Sequence, residues 1–270
     1  NGGLYMKKLS KIASFAVAAA MMITVAGCSK PENKSSVEKI KSDGFVTMAT
    51  NAEFEPFEYK DGDKFLGIDI DISNKVAEKL GVDLKINDVA FDSIITELSS
   101  GKANFSAAGM TADEDRKKNV DFSDSYFDAS QAIIVLKDSS IKSRTDLNGK
   151  KVGVQQGTTG DKFCTNEDGS SDVKVASTER YSKGVDAVTD LINGKIDAVV
   201  IDDFPATKFI EKNPDKIVKL NEALTVEKYA LAVKKGDAEM LKTVNEVISE
   251  MKSSGELDKI IEKYKAALEG

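Results

Sequence analysis

The sequence predicts an α/β fold of two lobes, each a mostly parallel sheet flanked by helices, joined by a two-strand hinge. Three observations carry this. Strand-like and helix-like segments alternate along most of the chain. The alternation restarts near residue 150, and two segments align across the restart, "IITELSSGKANFSAAG" and "AVTDLINGKIDAVVID". Both run helix, Leu, two residues, Gly-Lys, one residue, Asn or Asp, and then an apolar strand. Finally, two strand-length stretches without Pro or Gly, "ASQAIIVLK" (129–137) and "KYALAVKK" (228–235), connect the halves. Two extended crossovers make the first lobe discontinuous.

The elements follow in order. Residues 1–5 precede the first Met and are set aside. "MKKLSK" is basic, and the 16 residues "IASFAVAAAMMITVAG" (12–27) are uncharged and apolar. A spanning helix needs about 18–20 such residues, so 1–27 reads as upstream residues plus a signal peptide. The run ends in "VAGC", which looks like a lipobox with Cys28 as the lipidated first residue of the mature chain. Two acyl chains anchor a protein stably. Residues 28–36, "CSKPENKSS", read as a tether.

"FVTMAT" (45–50) is a strand, and "IDIDISNKVAEKLG" (68–81) a helix closed by glycine. "LKINDVA", "FDSIITELSSG" and "ANFSAAG" follow as strand, helix and strand. In the second half, "KKVGVQ" (150–155) is a strand, "TGDKFC" opens a helix, "VKVAS" is a strand, "GVDAVTDLINGK" a helix and "DAVVID" a strand. The tail is helical. Met240, Val244, Val247, Ile248 and Met251 recur at helical spacing, so it should pack back on the first lobe. The expected division is 37–133 with 230–270 for lobe 1 and 134–229 for lobe 2.

Composition excludes several chemistries. The chain contains no His and no Trp. Ser-His-Asp and Cys-His catalysis and every His-containing zinc site are thereby removed. A net charge of −7 disfavours nucleic acid as a partner. No metal or other cofactor is implied. With Cys28 acylated, Cys164 has no partner for an intrachain disulfide and reads as a small buried residue.

In open α/β sheets, ligands bind beyond the carboxyl ends of the strands. Those ends are Asn51, Phe91, Gly109–Thr111, Gln155–Thr159 and Asp202. Within "AAGMTADEDR", Arg116 is either the solvated i,i+3 partner of Asp113 or a grip for an anion, since Arg holds a carboxylate with two parallel bonds. Thr111 would sit at a helix N-terminus, where free N–H groups favour the same anion. Asp202 either caps the helix "FPATKFI" or receives a cation from the opposite lobe. "GTTG" (157–160) adds hydroxyls at a helix start. Phe54, Phe57 and Phe91 are core or an aromatic wall. An anion grip on one lobe and a carboxylate on the other suit a zwitterion.

These motifs resemble the extracytoplasmic amino-acid-binding proteins of polar amino acid ABC importers, solute-binding protein family 3. The likeness covers about residues 40–265 and includes "ATNAEFEPFEY", "GIDIDI", "VAFDSII", "AAGMTADEDRKKNVDFSDSYF", "VGVQQGTTG" and "DAVVIDD". It implies a type II periplasmic-binding-protein fold that closes on a free amino acid and delivers it to the permease transmembrane subunits. It implies that Arg116 binds the α-carboxylate with the N–H groups of Thr111 and Thr159. The α-ammonium would meet Asp202, the Gly109 carbonyl and the Thr111 hydroxyl. Phe54 and Phe91 would sandwich the side chain, Thr158 would line the site, and Asn51 and Gln155 would read the side-chain terminus. Some relatives carry Asp at the position of Asn51 or Lys at that of Gln155. The distal pocket here is therefore expected to be uncharged unless Glu53 turns in, and to take a neutral polar amino acid such as glutamine, or a cationic one. The protein is expected to be an extracytoplasmic lipid-anchored monomer and not an enzyme. A dehydratase of cyclic amino-acid precursors, with Glu53 as general acid, and a surface amino-acid sensor are the alternatives on the same fold.

Overall fold

A computed structural model describes residues 35–167, 169 and 171–269. The signal peptide, Cys28 and the tether up to residue 34 lie outside the described residues. The described residues form one compact unit. Ser35 and Ser36, expected in the tether, are the cap and the first residue of a helix instead. Ser35 caps Ser36–Asp43 by accepting the Glu38 N–H at 3.2 Å, while the Glu38 carboxylate accepts the Ser35 N–H at 3.0 Å. This reciprocal pair satisfies two amides that the first helical turn leaves open.

Two five-stranded sheets follow the same plan. The first runs Asp83–Asp88, Phe45–Thr50, Phe105–Ser106, Ala232–Lys234, Val120–Phe122. The second runs Ser177–Tyr181, Lys151–Gln155, Ala198–Asp202, Gln131–Leu136, Ile217–Lys219. In each, three parallel strands in the order second, first, third are followed by an antiparallel strand that the chain supplies as it enters or leaves the lobe. The aligned repeat in the sequence is thus a repeat of topology. Parallel strands have their carboxyl ends on one edge of the sheet, where loops are free to build a site.

The crossovers lie slightly earlier than expected. Phe127–Ala129 pairs antiparallel with Glu227–Tyr229 between the sheets. Gln131–Leu136 is wholly a strand of the second sheet, between Ala198–Asp202 and Ile217–Lys219, so a lobe boundary at 133/134 would cut it. The apolar run "AIIV" is the cause: it is fully buried only inside that sheet. "VKVAS" is also displaced. The strand is Ser177–Tyr181, while Val173 packs into the second lobe's core from an irregular segment. Pairing with Lys151–Gln155 fixes that register more strongly than β-propensity does.

The tail is two helices, Ala238–Ser253 and Glu256–Glu269, separated by Gly255 at φ 71°. Met240, Val244, Val247, Ile248 and Met251 are all buried, and this face packs on the helix Ile68–Leu80. An antiparallel ribbon of Glu53–Phe54, Glu58–Asp61 and Lys64–Leu66 was not foreseen, although "KDGDK" carries the Asp-Gly signal of a tight turn. Cys164 is buried, and burial pushes its thiol up to about 12, which makes it unreactive.

Candidate functional site

A small cavity between the two sheets is lined by all ten residues expected there. Asn51, Phe54, Phe91, Gly109, Thr111 and Arg116 come from the first lobe, and Gln155, Thr158, Thr159 and Asp202 from the second. Glu58 and Ala108 complete the lining.

Arg116 begins a short 3-10 turn, and the Asp113 carboxylate accepts its backbone N–H at 2.8 Å. The i,i+3 pairing with Asp113 exists, at 3.6 Å, but it is not a surface pair: Arg116 is 5% exposed. Its Nη1 donates to the Thr111 carbonyl at 2.8 Å, and its Nη2 crosses the cleft to the Gly157 carbonyl at 2.9 Å. The guanidinium carbon stands 5.3 Å from the centre of the Phe91 ring. Burial pulls its pKa down while Asp113, Glu227 and Asp202 oppose this, so the group stays ionised. A cation is therefore fixed in the cavity wall with donor capacity to spare.

Asp202 ends the strand Ala198–Asp202 on the opposite side. It stands at the N-cap of the next helix, yet its side chain makes no capping bond. The Tyr229 hydroxyl donates to it instead. Asp202 is 5% exposed, and burial together with the nearby Glu227 pushes its carboxyl up to about 7. An approaching cation would let it ionise.

Gly109 has φ 51°, and a Cβ there would meet Phe54 Cε1 at 2.7 Å, so only glycine lets the backbone pass beneath that ring. Its N–H donates to buried Asp69 at 2.7 Å. Burial raises Asp69 to about 6. Burial, with Asp69 beside it, also holds Glu58 well above the ordinary carboxylate range. At the other end, Gln155 Nε2 donates to Asn51 Oδ1 at 2.8 Å across the cleft, and Asn51 Nδ2 donates to the Val89 carbonyl at 2.9 Å. That end is uncharged. Glu53 does not turn in; it pairs with Lys183 on the rim.

Two residues left open in the sequence take definite roles. Thr158 lines the cavity, but its hydroxyl accepts the Asp161 N–H at 3.2 Å and donates to the Gln155 carbonyl at 2.7 Å. It caps the helix Thr159–Thr165. Phe57 is core, packed edge-on against Phe127, Phe204 and Tyr229, whereas Phe54 and Phe91 form the wall. The sequence reading missed Glu58, Gln131, Glu227 and Tyr229. Thr111 and Thr159 both donate to Glu227, at 2.7 and 2.9 Å. Around the rim, first-lobe acids meet second-lobe lysines: Asp113 with Lys162 at 2.7 Å, and Glu55 with Lys212 at 2.8 Å.

Comparison with known proteins agrees with this fold. The arginine-binding extracellular protein ArtP of Bacillus subtilis (strain 168) is 32% identical over 249 residues, 92% of this chain and 95% of its own. The holo structure of ArgBP from T. maritima shares 43% identity with a TM-score of 0.74, over 80% of this chain and 93% of its own. An ancestral arginine-binding protein, solved bound to glutamine, shares 41% identity with a TM-score of 0.75, over 82% and 97%. The type II periplasmic-binding-protein fold expected above is the fold observed. Residues 46–267 match the bacterial extracellular solute-binding proteins, family 3, and the chain belongs to that family.

Proposed function

We propose that this protein captures one free L-amino acid between its lobes for delivery to an ABC permease, with arginine as the first candidate ligand and glutamine the second. One observation carries the reading: a buried guanidinium and a buried carboxyl face a single cavity from opposite lobes. Arg116 takes the α-carboxylate, with the N–H groups of Thr111 and Thr159. Asp202 takes the α-ammonium, with the Gly109 carbonyl and the Thr111 hydroxyl. Phe54 and Phe91 flank the side chain, and Asn51 and Gln155 meet its end. Such a ligand contacts both lobes only when they are together, so it shifts the population towards the closed form.

The uncharged end formed by Asn51 and Gln155 offers no cation to an anionic side chain, which favours a cationic or neutral polar one. The relatives named for arginine support the same choice, and the ancestral protein bound to glutamine supports the second. Cys28 carries the lipid anchor, and the protein works as an extracytoplasmic monomer without catalysis. The dehydratase alternative names Glu53 as its general acid, and Glu53 is engaged with Lys183 on the rim.

The test is a thermal-shift screen of residues 30–270 against the twenty amino acids, after ligand is stripped by unfolding and refolding. A ligand present at about 100 times its dissociation constant stabilises by about 2.7 kcal/mol, a shift of several degrees. Arginine or glutamine should respond most strongly. Silence from all twenty would refute the reading.

A further inference from the structure

Glu227 belongs to the crossover strand Glu227–Tyr229, between the lobes, and is buried. Its Oε2 accepts the Thr111 hydroxyl of the first lobe at 2.7 Å and the Thr159 hydroxyl of the second at 2.9 Å. Its Oε1 accepts the Thr225 hydroxyl at 2.6 Å. Gln131 Nε2, which donates to Thr159 Oγ1 at 2.9 Å, stands 3.5 Å from the same Oε2. The carboxylate is thus held by hydroxyl and amide donors from both lobes and from the crossover itself.

We propose that Glu227 is a positioning residue that ties Thr111 to Thr159, stabilising the closed arrangement and setting both threonines at the cavity. The proposal deepens the binding reading above and rests on it for the ligand, although not for the closure. The physical argument is one of satisfaction. Two part-buried hydroxyls that share one acceptor have little water to replace it, so removing that acceptor leaves both unsatisfied. Rotating the lobes apart moves Thr111 and Thr159 in different directions, so at least one of the two bonds must break. The crossover strand therefore registers whether the lobes are together. Because both threonines donate to the same oxygen, a glutamine carbonyl at this position would accept both. Charge and hydrogen-bond geometry are separable by substitution.

The experiment compares wild type, Glu227→Gln and Glu227→Ala as residues 34–270, the compact unit. Small-angle scattering without ligand reads closure, and calorimetric titration with L-arginine and L-glutamine reads affinity. Glu227→Ala should show a larger radius of gyration than wild type and at least about tenfold weaker binding, the scale of a hydrogen-bond donor left unsatisfied. Glu227→Gln should stay within about threefold of wild type and keep its radius. Equality of Glu227→Ala with wild type in both measurements would overturn the proposal. So would a Glu227→Gln variant as impaired as Glu227→Ala, since charge rather than positioning would then be at work. If Glu227→Ala does not fold, Thr159→Val takes its place: it must open the unliganded protein, and an unchanged radius overturns the proposal. A wild type that binds neither amino acid sinks the ligand reading, while the scattering comparison still decides the role of Glu227.

Discussion

At the scale of single residues, the site is an arrangement of buried charges whose protonation is linked to the ligand. Asp202 sits at about 7 in the ligand-free protein because burial and Glu227 disfavour its anion. A docked ammonium favours that anion and lowers the value. Below about pH 7, binding therefore has to expel a proton, and affinity should fall as pH falls, by up to about tenfold per unit. Calorimetric titrations between about pH 5 and 8 check this, and Asp202→Asn should weaken binding and remove the slope. A flat wild-type profile would mean that no cation reaches Asp202. Much of this site was legible in the sequence. Each strand end named its loop, and all ten candidates line the cavity. What could not be read were partners brought together over long separations. Glu227 lies 116 positions from Thr111, and nothing in "TVEKY" marks that contact. The Thr158 hydroxyl caps a helix at the cavity wall, and a helix cap and a ligand donor look identical in a Gly-Thr-Thr-Gly stretch.

At the scale of elements, periodicity located helices better than it located strands. The stripe from Met240 to Met251 fixed both the helix Ala238–Ser253 and its buried face. A helix presents one face for several turns, so each residue repeats the signal. A five-residue strand carries little such redundancy, and "VKVAS" lost to "STERY" because sheet pairing is decided by the neighbouring strand. The crossover limits shifted for a related reason: an apolar run reads the same whether it bridges lobes or enters a sheet. The tail helix is stabilised by burial rather than by propensity. Ile248→Ala, which removes buried contact with the first lobe far from the cavity, should cost about 2–5 kcal/mol in urea unfolding while leaving affinity at wild-type level. A loss near zero would mean that the tail does not belong to the folding unit.

At the scale of the whole molecule, the buried acids set a pH dependence of stability opposite to the usual one for carboxylates. Asp69 is raised from 3.8 to about 6, Asp202 from 3.8 to about 7, and burial holds Glu58 well above its ordinary range. Between about pH 4 and 7 the folded chain holds protons that the unfolded chain has released. Their contribution to stability is full below about pH 4 and is lost as pH rises through 6 and 7. The melting temperature of the ligand-free protein should therefore fall from about pH 5 to pH 8. A bound amino acid, by stabilising the Asp202 anion, should reduce that fall. Melting curves at several pH values, with and without ligand, check both statements.

The same balance of charge makes the central claim testable in one comparison. Calorimetry should set the amino acid that responds in the screen against its decarboxylated counterpart (agmatine in the case of arginine), with wild type and Arg116→Ala. If Arg116 grips the α-carboxylate, the amine should bind wild type at least about a hundredfold more weakly, the scale of a buried charged partner removed. Arg116→Ala should bind both ligands poorly and lose most of the preference for the acid. An amine that binds as tightly as its amino acid, or an Arg116→Ala protein that still discriminates, would contradict the account.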